Sequence, residues 1–69
     1  MMEATVTELR SALNEYAQVV GVFGAEIEAR GNLRSLRASK TTWVGKEEND
    51  LRFAIDRALR GEWNHEDQS

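Results

Sequence analysis

The chain has 69 residues, a net charge of −3, one histidine, and no cysteine or proline. A domain of this size buries only about 60% of the surface that its unfolded chain exposes, and here no disulfide can support it. Because 30% of the residues are charged and 41% are hydrophobic, the composition indicates packed helices rather than disorder or a turn-rich β fold. We expect one all-α domain that gains stability from self-association.

A heptad pattern marks the first predicted helix, over residues 6–30. Thr5 and Glu8 can form a capping box at its start, and Gly31 followed by Asn32 can end it. Apolar residues recur at alternate spacings of three and four, which is typical of the seam between packed helices. We predict that this seam forms a dimer interface. Its members are Val6, Leu9, Leu13, Tyr16, Val20, Phe23 and Ile27.

Two glycines, Gly21 and Gly24, interrupt this helical pattern. Each costs about 1 kcal/mol relative to alanine inside a helix, so their presence needs a reason. One interpretation is a small-residue patch, shared with Ala17 and Ala25, where a second helix can approach closely. The other interpretation is a bend in the chain at VVGVFG, residues 19–24.

A stretch of about 15 residues around this bend resembles the helix-turn-helix motif. The motif's alanine, hydrophobic residue, turn glycine, following valine and core isoleucine correspond to Ala17, Val20, Gly21, Val22 and Ile27. The resemblance implies a small DNA-binding regulator. The chain departs from the motif at Arg30, where an aliphatic residue is usual, and Glu26 and Glu28 would be repelled by phosphates. DNA binding is therefore an alternative function.

The connector that follows, residues 31–45, carries a second family resemblance. Trp43 and Gly45 are similar to the Trp-x-Gly turn of the small secreted helical hairpins of type VII secretion. The resemblance implies a secreted dimeric hairpin in which Trp43 is structural, while Trp63 and Asp67 belong to an export signal. The chain departs from that family in its short second helix and in having tryptophan where the signal has tyrosine.

A second helix is predicted over residues 46–60. Its first turn is acidic, its last turn is basic and Gly61 follows, as the helix dipole and a C-terminal stop require. This helix is shorter than the first and cannot cover the whole seam. We therefore expect a two-helix antiparallel hairpin, formed by residues 1–63, that dimerises into a four-helix bundle. Residues 64–69 are expected to be a flexible acidic tail.

Five basic residues and no acidic one lie between residues 29 and 46, and we call them the basic arc: Arg30, Arg34, Arg37, Lys40 and Lys46. Arginine and tryptophan are enriched at interface hot spots. We predict a partner-binding surface for an acidic protein, composed of Arg30, Arg34, Leu36, Arg37 and Trp43. The alternative is pairing within the dimer to Glu62, Glu66 and Asp67. Nucleic-acid binding by the arc is disfavoured, because the net charge is negative and no aromatic residue is interleaved among the arginines.

The residues needed for catalysis are scarce. His65 lies in a polar tail, and the carboxylates are spread along predicted helix faces. We expect no enzymatic activity, no cofactor and no metal site. The small size and the lack of catalytic residues resemble those of small phage-encoded or accessory proteins that block larger proteins. We therefore expect a regulator that binds a larger protein and inhibits or adapts it.

A membrane location is not predicted. No apolar run approaches the roughly 20 residues that cross a bilayer. The segment MMEATVTELR also lacks the charged and apolar regions of a signal peptide. We expect a cytoplasmic protein.

Overall fold

The computed structural model describes residues 3–62, which form three helices and no strand. The helices are α1 (Val6–Val19), α2 (Ala25–Ser39) and α3 (Gly45–Leu59). The all-α prediction is confirmed for this part of the chain, but the two-helix hairpin is wrong. The predicted first helix, residues 6–30, is two helices, and most of the predicted connector, residues 31–45, belongs to α2. None of the described helices is long and apolar enough to cross a membrane.

The break between α1 and α2 comes from two glycines in a left-handed backbone conformation. Gly21 and Gly24 have φ angles of 92° and 90°, which residues with a Cβ atom adopt only at a cost. The Gly21 N–H donates to the carboxylate of Glu26 at 2.7 Å, which ties the turn to the start of α2. The bend is therefore the correct interpretation of these glycines, and the continuous helix is wrong.

The other predicted helix ends have mixed outcomes. The capping box of α1 is present: the Glu8 N–H donates to Thr5 Oγ1 at 3.1 Å, and the Thr5 N–H donates to the Glu8 carboxylate at 2.9 Å. Gly31 does not end a helix, because it lies inside α2 with an ordinary helical backbone. Gly61 does follow the end of α3, with a φ of 77°, and its N–H donates to the carbonyl of Ala58 at 3.1 Å.

Helices α1 and α2 pack side by side as an antiparallel hairpin. Near the turn, the guanidinium carbon of Arg30 lies 5.8 Å from the centre of the Tyr16 ring. At the far end, the Ala4 N–H donates to Ser39 Oγ at 3.2 Å. Two helices of roughly 21 Å, at 1.5 Å of rise per residue, can meet at both ends only if they run nearly antiparallel.

The core takes one fully buried side chain from each helix: Leu9, Leu33 and Ile55. Other buried apolar residues surround them, namely Ala4, Ala12, Tyr16, Leu51 and Ala58. Removing a large apolar side chain from water contributes about 1.5–3 kcal/mol. The three helices are therefore held together by a single shared cluster.

The predicted dimer seam splits into a buried part and an exposed end. Five of its members are buried or pack partly buried against the core: Val6, Leu9, Leu13, Tyr16 and Val20. The last two differ, because Phe23 is 92% exposed and Ile27 is 57% exposed. Much of the seam therefore packs inside its own chain, since α2 supplies the helix that the prediction assigned to a second copy.

Candidate protein-binding surface

Arg37 connects α2 to α3. Its Nε and Nη2 atoms donate to the two carboxylate oxygens of Asp56 at 2.9 and 3.3 Å. Its guanidinium carbon also lies 5.1 Å from the centre of the Trp43 ring. A two-pronged ion pair stacked on an aromatic ring restricts both the distance and the orientation of the two helices. Arg37 therefore has a structural role, although it was predicted as a partner contact.

Lys40 is a buried cation just after the end of α2. It is only 9% exposed, and its Nζ lies 3.4 Å from the carboxylate of Glu48 and 3.9 Å from that of Glu3. The same atom lies 5.1 Å from the centre of the Trp43 ring. A buried ammonium needs such partners to offset the loss of its hydration. Lys40 thus joins the N-terminal segment, the loop and α3.

Glu3 attaches the N-terminal segment to the loop after α2. Its carboxylate accepts hydrogen bonds from the backbone N–H groups of Thr42 at 2.8 Å and Thr41 at 2.7 Å. These bonds, that of Thr42 first, lower the pKa of Glu3, and the charge of Lys40 lowers it further. The ionised carboxylate is therefore the form that stabilises this attachment.

Arg30 braces the turn between α1 and α2. It pairs with Glu26, whose other carboxylate oxygen accepts the Gly21 N–H. A side-chain hydrogen bond to Tyr16, the largest cause, raises the pKa of Arg30 above its ordinary value. Arg30 thus contacts both helices of the hairpin and the turn between them.

Arg34 is the exception in the basic arc. Lys46 pairs with Asp50 at 2.7 Å, and the remaining three members are engaged as described above. Arg34 is exposed, and no ion pair joins it to any carboxylate within residues 3–62. Arg34 is therefore the arc residue that is available to another molecule.

Of the three acidic residues predicted to pair with the arc, only Glu62 lies in the part of the chain that the structure describes. Glu62 pairs with Arg60 at 2.9 Å, and Glu66 and Asp67 lie outside the described residues. The two predicted apolar contacts, Leu36 and Trp43, are partly buried against the core. The arc is thus mainly a set of contacts within the chain.

The structure exposes an apolar surface that sequence reasoning missed. Val22 and Phe23 in the turn and Ile27 in the first turn of α2 are all more than half exposed. Helix α3 leaves them uncovered, because its polar contacts to the hairpin, through Arg10 and Arg37, lie away from this turn. Exposed apolar patches mark interaction sites on soluble proteins. The bend at VVGVFG was the signal for this surface, because a helix that ends there cannot bury Phe23 and Ile27 on the same face as the earlier seam residues.

Ile27 and Arg34 lie on the same side of α2, because they are seven residues, or nearly two helical turns, apart. Phe23 lies in the turn that leads into this helix. We call Phe23, Ile27 and Arg34 the outer stripe. It combines two exposed apolar side chains with a cation that has no ion pair in the described part of the chain.

The helix-turn-helix resemblance is not matched by this geometry. The isoleucine of that motif belongs to the core, whereas Ile27 is exposed. The motif's two helices also cross at a wide angle, whereas α1 and α2 are antiparallel. In the other resemblance, Trp43 and Gly45 do lie where α2 gives way to α3, and Gly45 has a φ of 76°. Its tail signal lies outside the described residues.

Within residues 3–62 no group of three or more metal-ligating side chains occurs. Comparison with known proteins finds no matching protein family, curated protein or solved structure. The exposed surface of the molecule is therefore the basis on which a function can be proposed.

Proposed function

We propose that this protein is a cytoplasmic, non-enzymatic protein-binding module that attaches to a larger protein through the outer stripe and inhibits or adapts it. The observation that carries the proposal is the exposure of Phe23, at 92%, together with that of Ile27 and of Arg34, which forms no ion pair within residues 3–62. Aromatic residues, including phenylalanine, and arginine are enriched at protein interfaces. The outer stripe contains both types.

The chemistry of the stripe defines the partner. Phe23 and Ile27 need an apolar pocket, because burying them is the favourable step. Arg34 needs a carboxylate at the edge of that pocket, where a charge-assisted hydrogen bond can form. The partner is therefore a protein with an apolar groove bordered by acidic residues. The preference for an acidic partner agrees with the sequence prediction, but only Arg34 is kept of the five predicted contact residues. Phe23 and Ile27 replace the other four, which are Arg30, Leu36, Arg37 and Trp43.

Self-association is part of the proposal. The predicted four-helix bundle was built from two two-helix hairpins. The chain instead has three helices, and most of its seam is already buried within one copy. A second copy can instead reach the exposed end of that seam, Phe23 and Ile27. A small domain gains from such contacts because its own core is limited.

The test compares capture of a partner by matched variants of the full chain. Phe23→Ser and Arg34→Glu should each weaken binding at least tenfold, since truncating an interface anchor typically costs about 2 kcal/mol or more. Phe53→Ser and Arg57→Glu are the controls, because both residues are exposed and lie on α3. The partner is first identified by photocrosslinking from position 23. The affinity of each variant for the purified partner is then measured by calorimetry.

Three results decide the matter. Loss of affinity in the two stripe variants with retention in the two α3 variants supports the proposal. Equal affinity in all four variants contradicts it. Recovery of duplex DNA instead of protein, with affinity that falls steeply as salt rises, would favour the DNA-binding alternative.

A further inference from the structure

A groove runs between α1 and α2 near the turn, with a volume of about 660 Å³. Apolar side chains line it from both helices: Val19 from α1, and Ala25 and Ala29 from α2. Glu15 and Glu28 also line it, one from each helix. The groove thus combines an apolar lining with carboxylates contributed from both sides.

The carboxylates of the groove have no ion pair within the chain as described. Neither Glu15 nor Glu28 is joined to a basic residue within residues 3–62. Both are exposed. A groove with Val19, Ala25 and Ala29 in its lining, and with two carboxylates that form no ion pair within residues 3–62, has the chemistry that the outer stripe requires of a partner.

The groove and the outer stripe lie on opposite sides of α2. Successive residues of a helix are turned by about 100°, so Ile27 lies about 160° from Ala25 and from Ala29. Arg34 lies about 160° from Asn32, which also lines the groove. One copy therefore cannot place its stripe in its own groove, but it can place the stripe in the groove of another copy.

We propose that a second copy of this chain occupies the groove, with Ile27 against the apolar lining and Arg34 beside Glu15 and Glu28. This inference rests on the outer stripe assigned under the proposed function. Because the two complementary surfaces face opposite ways, the contact is head-to-tail, and each added copy leaves one free stripe and one free groove. Self-assembly therefore competes with the larger partner for the stripe, so that a high concentration of the chain lowers the number of free binding surfaces.

The test uses two variants that each disable one half of the contact. Ile27→Ala with Arg34→Ala removes the two stripe side chains that enter the groove and keeps the groove, whereas Glu15→Lys with Glu28→Lys repels Arg34 and keeps the stripe. Mass is measured by sedimentation velocity over a range of concentrations, with helicity checked by circular dichroism. Arg57→Glu, an exposed charge reversal on α3, is the control.

The wild type and the control should grow with concentration beyond twice the 7.8 kDa mass of one chain. Each double variant alone should associate at least tenfold more weakly, and an equimolar mixture should form a 1:1 dimer and nothing larger. Raising the salt concentration should weaken the wild-type assembly.

Other outcomes overturn the inference. A wild type that is monomeric at every concentration, or one that stops at a dimer, excludes head-to-tail assembly. A mixture of the two folded double variants that stays monomeric excludes the pairing of stripe with groove. Partner capture is measured separately, so a chain that assembles but binds no larger protein refutes the proposed function and leaves this inference standing.

Discussion

Replacing glycines by alanine at three positions tests the break between α1 and α2. Gly21 and Gly24 have positive φ angles, whereas Gly31 has an ordinary helical backbone. At all three positions an added Cβ atom would meet nothing within 4 Å. The three substitutions therefore differ in backbone conformation and not in steric contact, which makes them a matched set.

The expected effects have opposite signs. Alanine at Gly21 or Gly24 should lower the free energy of unfolding by about 1–2 kcal/mol, the usual cost of a left-handed residue with a Cβ atom. Alanine at Gly31 should raise it by about 0.5–1 kcal/mol, because it reduces the backbone freedom of the unfolded chain and favours the helix. The two classes should differ by roughly 2 kcal/mol, which is large against the few kcal/mol of stability expected for so small a domain.

The measurement is urea unfolding followed by circular dichroism at a concentration where the chain is monomeric. A difference of 1 kcal/mol should also move the melting temperature by about 4–8 °C in a domain of this size. If Gly24→Ala raised stability as much as Gly31→Ala, residues 20–24 would have to be helical. The three-helix arrangement would then be refuted and the continuous helix restored.

Three further predictions concern the core, the link between helices and pH. Leu33→Ala should lower the free energy of unfolding by about 2–5 kcal/mol, because it empties a fully buried site. Ile27→Ala, at an exposed site, should change it by less than about 0.5 kcal/mol. Similar losses for the two variants in urea unfolding would contradict the assignment of Leu33 to the core and Ile27 to the surface. Arg37→Ala and Asp56→Ala should be non-additive by roughly 0.5–1 kcal/mol in a double-mutant cycle, and strict additivity would show that the pair is uncoupled. The folded state lowers the pKa of Glu3, so its contribution is present above the pKa of the unfolded chain and is lost as pH falls through the folded value. Glu3→Gln should therefore flatten the fall in stability on acidification, and an unchanged acid profile would count against this role.

Local features were readable from the sequence where a few neighbouring residues decide the structure. The capping box of Thr5 and Glu8 and the stop at Gly61 are of this kind, because each is formed by backbone and side-chain groups within one or two helical turns. The predicted range 46–60 for the last helix likewise lies within one residue of Gly45–Leu59 at each end. The period of the apolar residues was enough to assign an all-α fold.

The candidate surface depended on contacts between residues far apart in the sequence. Arg30, Arg34 and Arg37 look equivalent in the sequence. Only the tertiary structure shows that Arg37 pairs with Asp56, that Arg30 contacts Glu26 and Tyr16, and that Arg34 forms no ion pair within residues 3–62. The apolar pattern of the seam likewise does not distinguish burial against a second copy from burial against α2 of the same chain. Gly21 and Gly24 permit the turn, because a glycine has similar energy in right-handed and left-handed conformations. The packing of α2 onto α1 then favours the turned chain over a continuous helix.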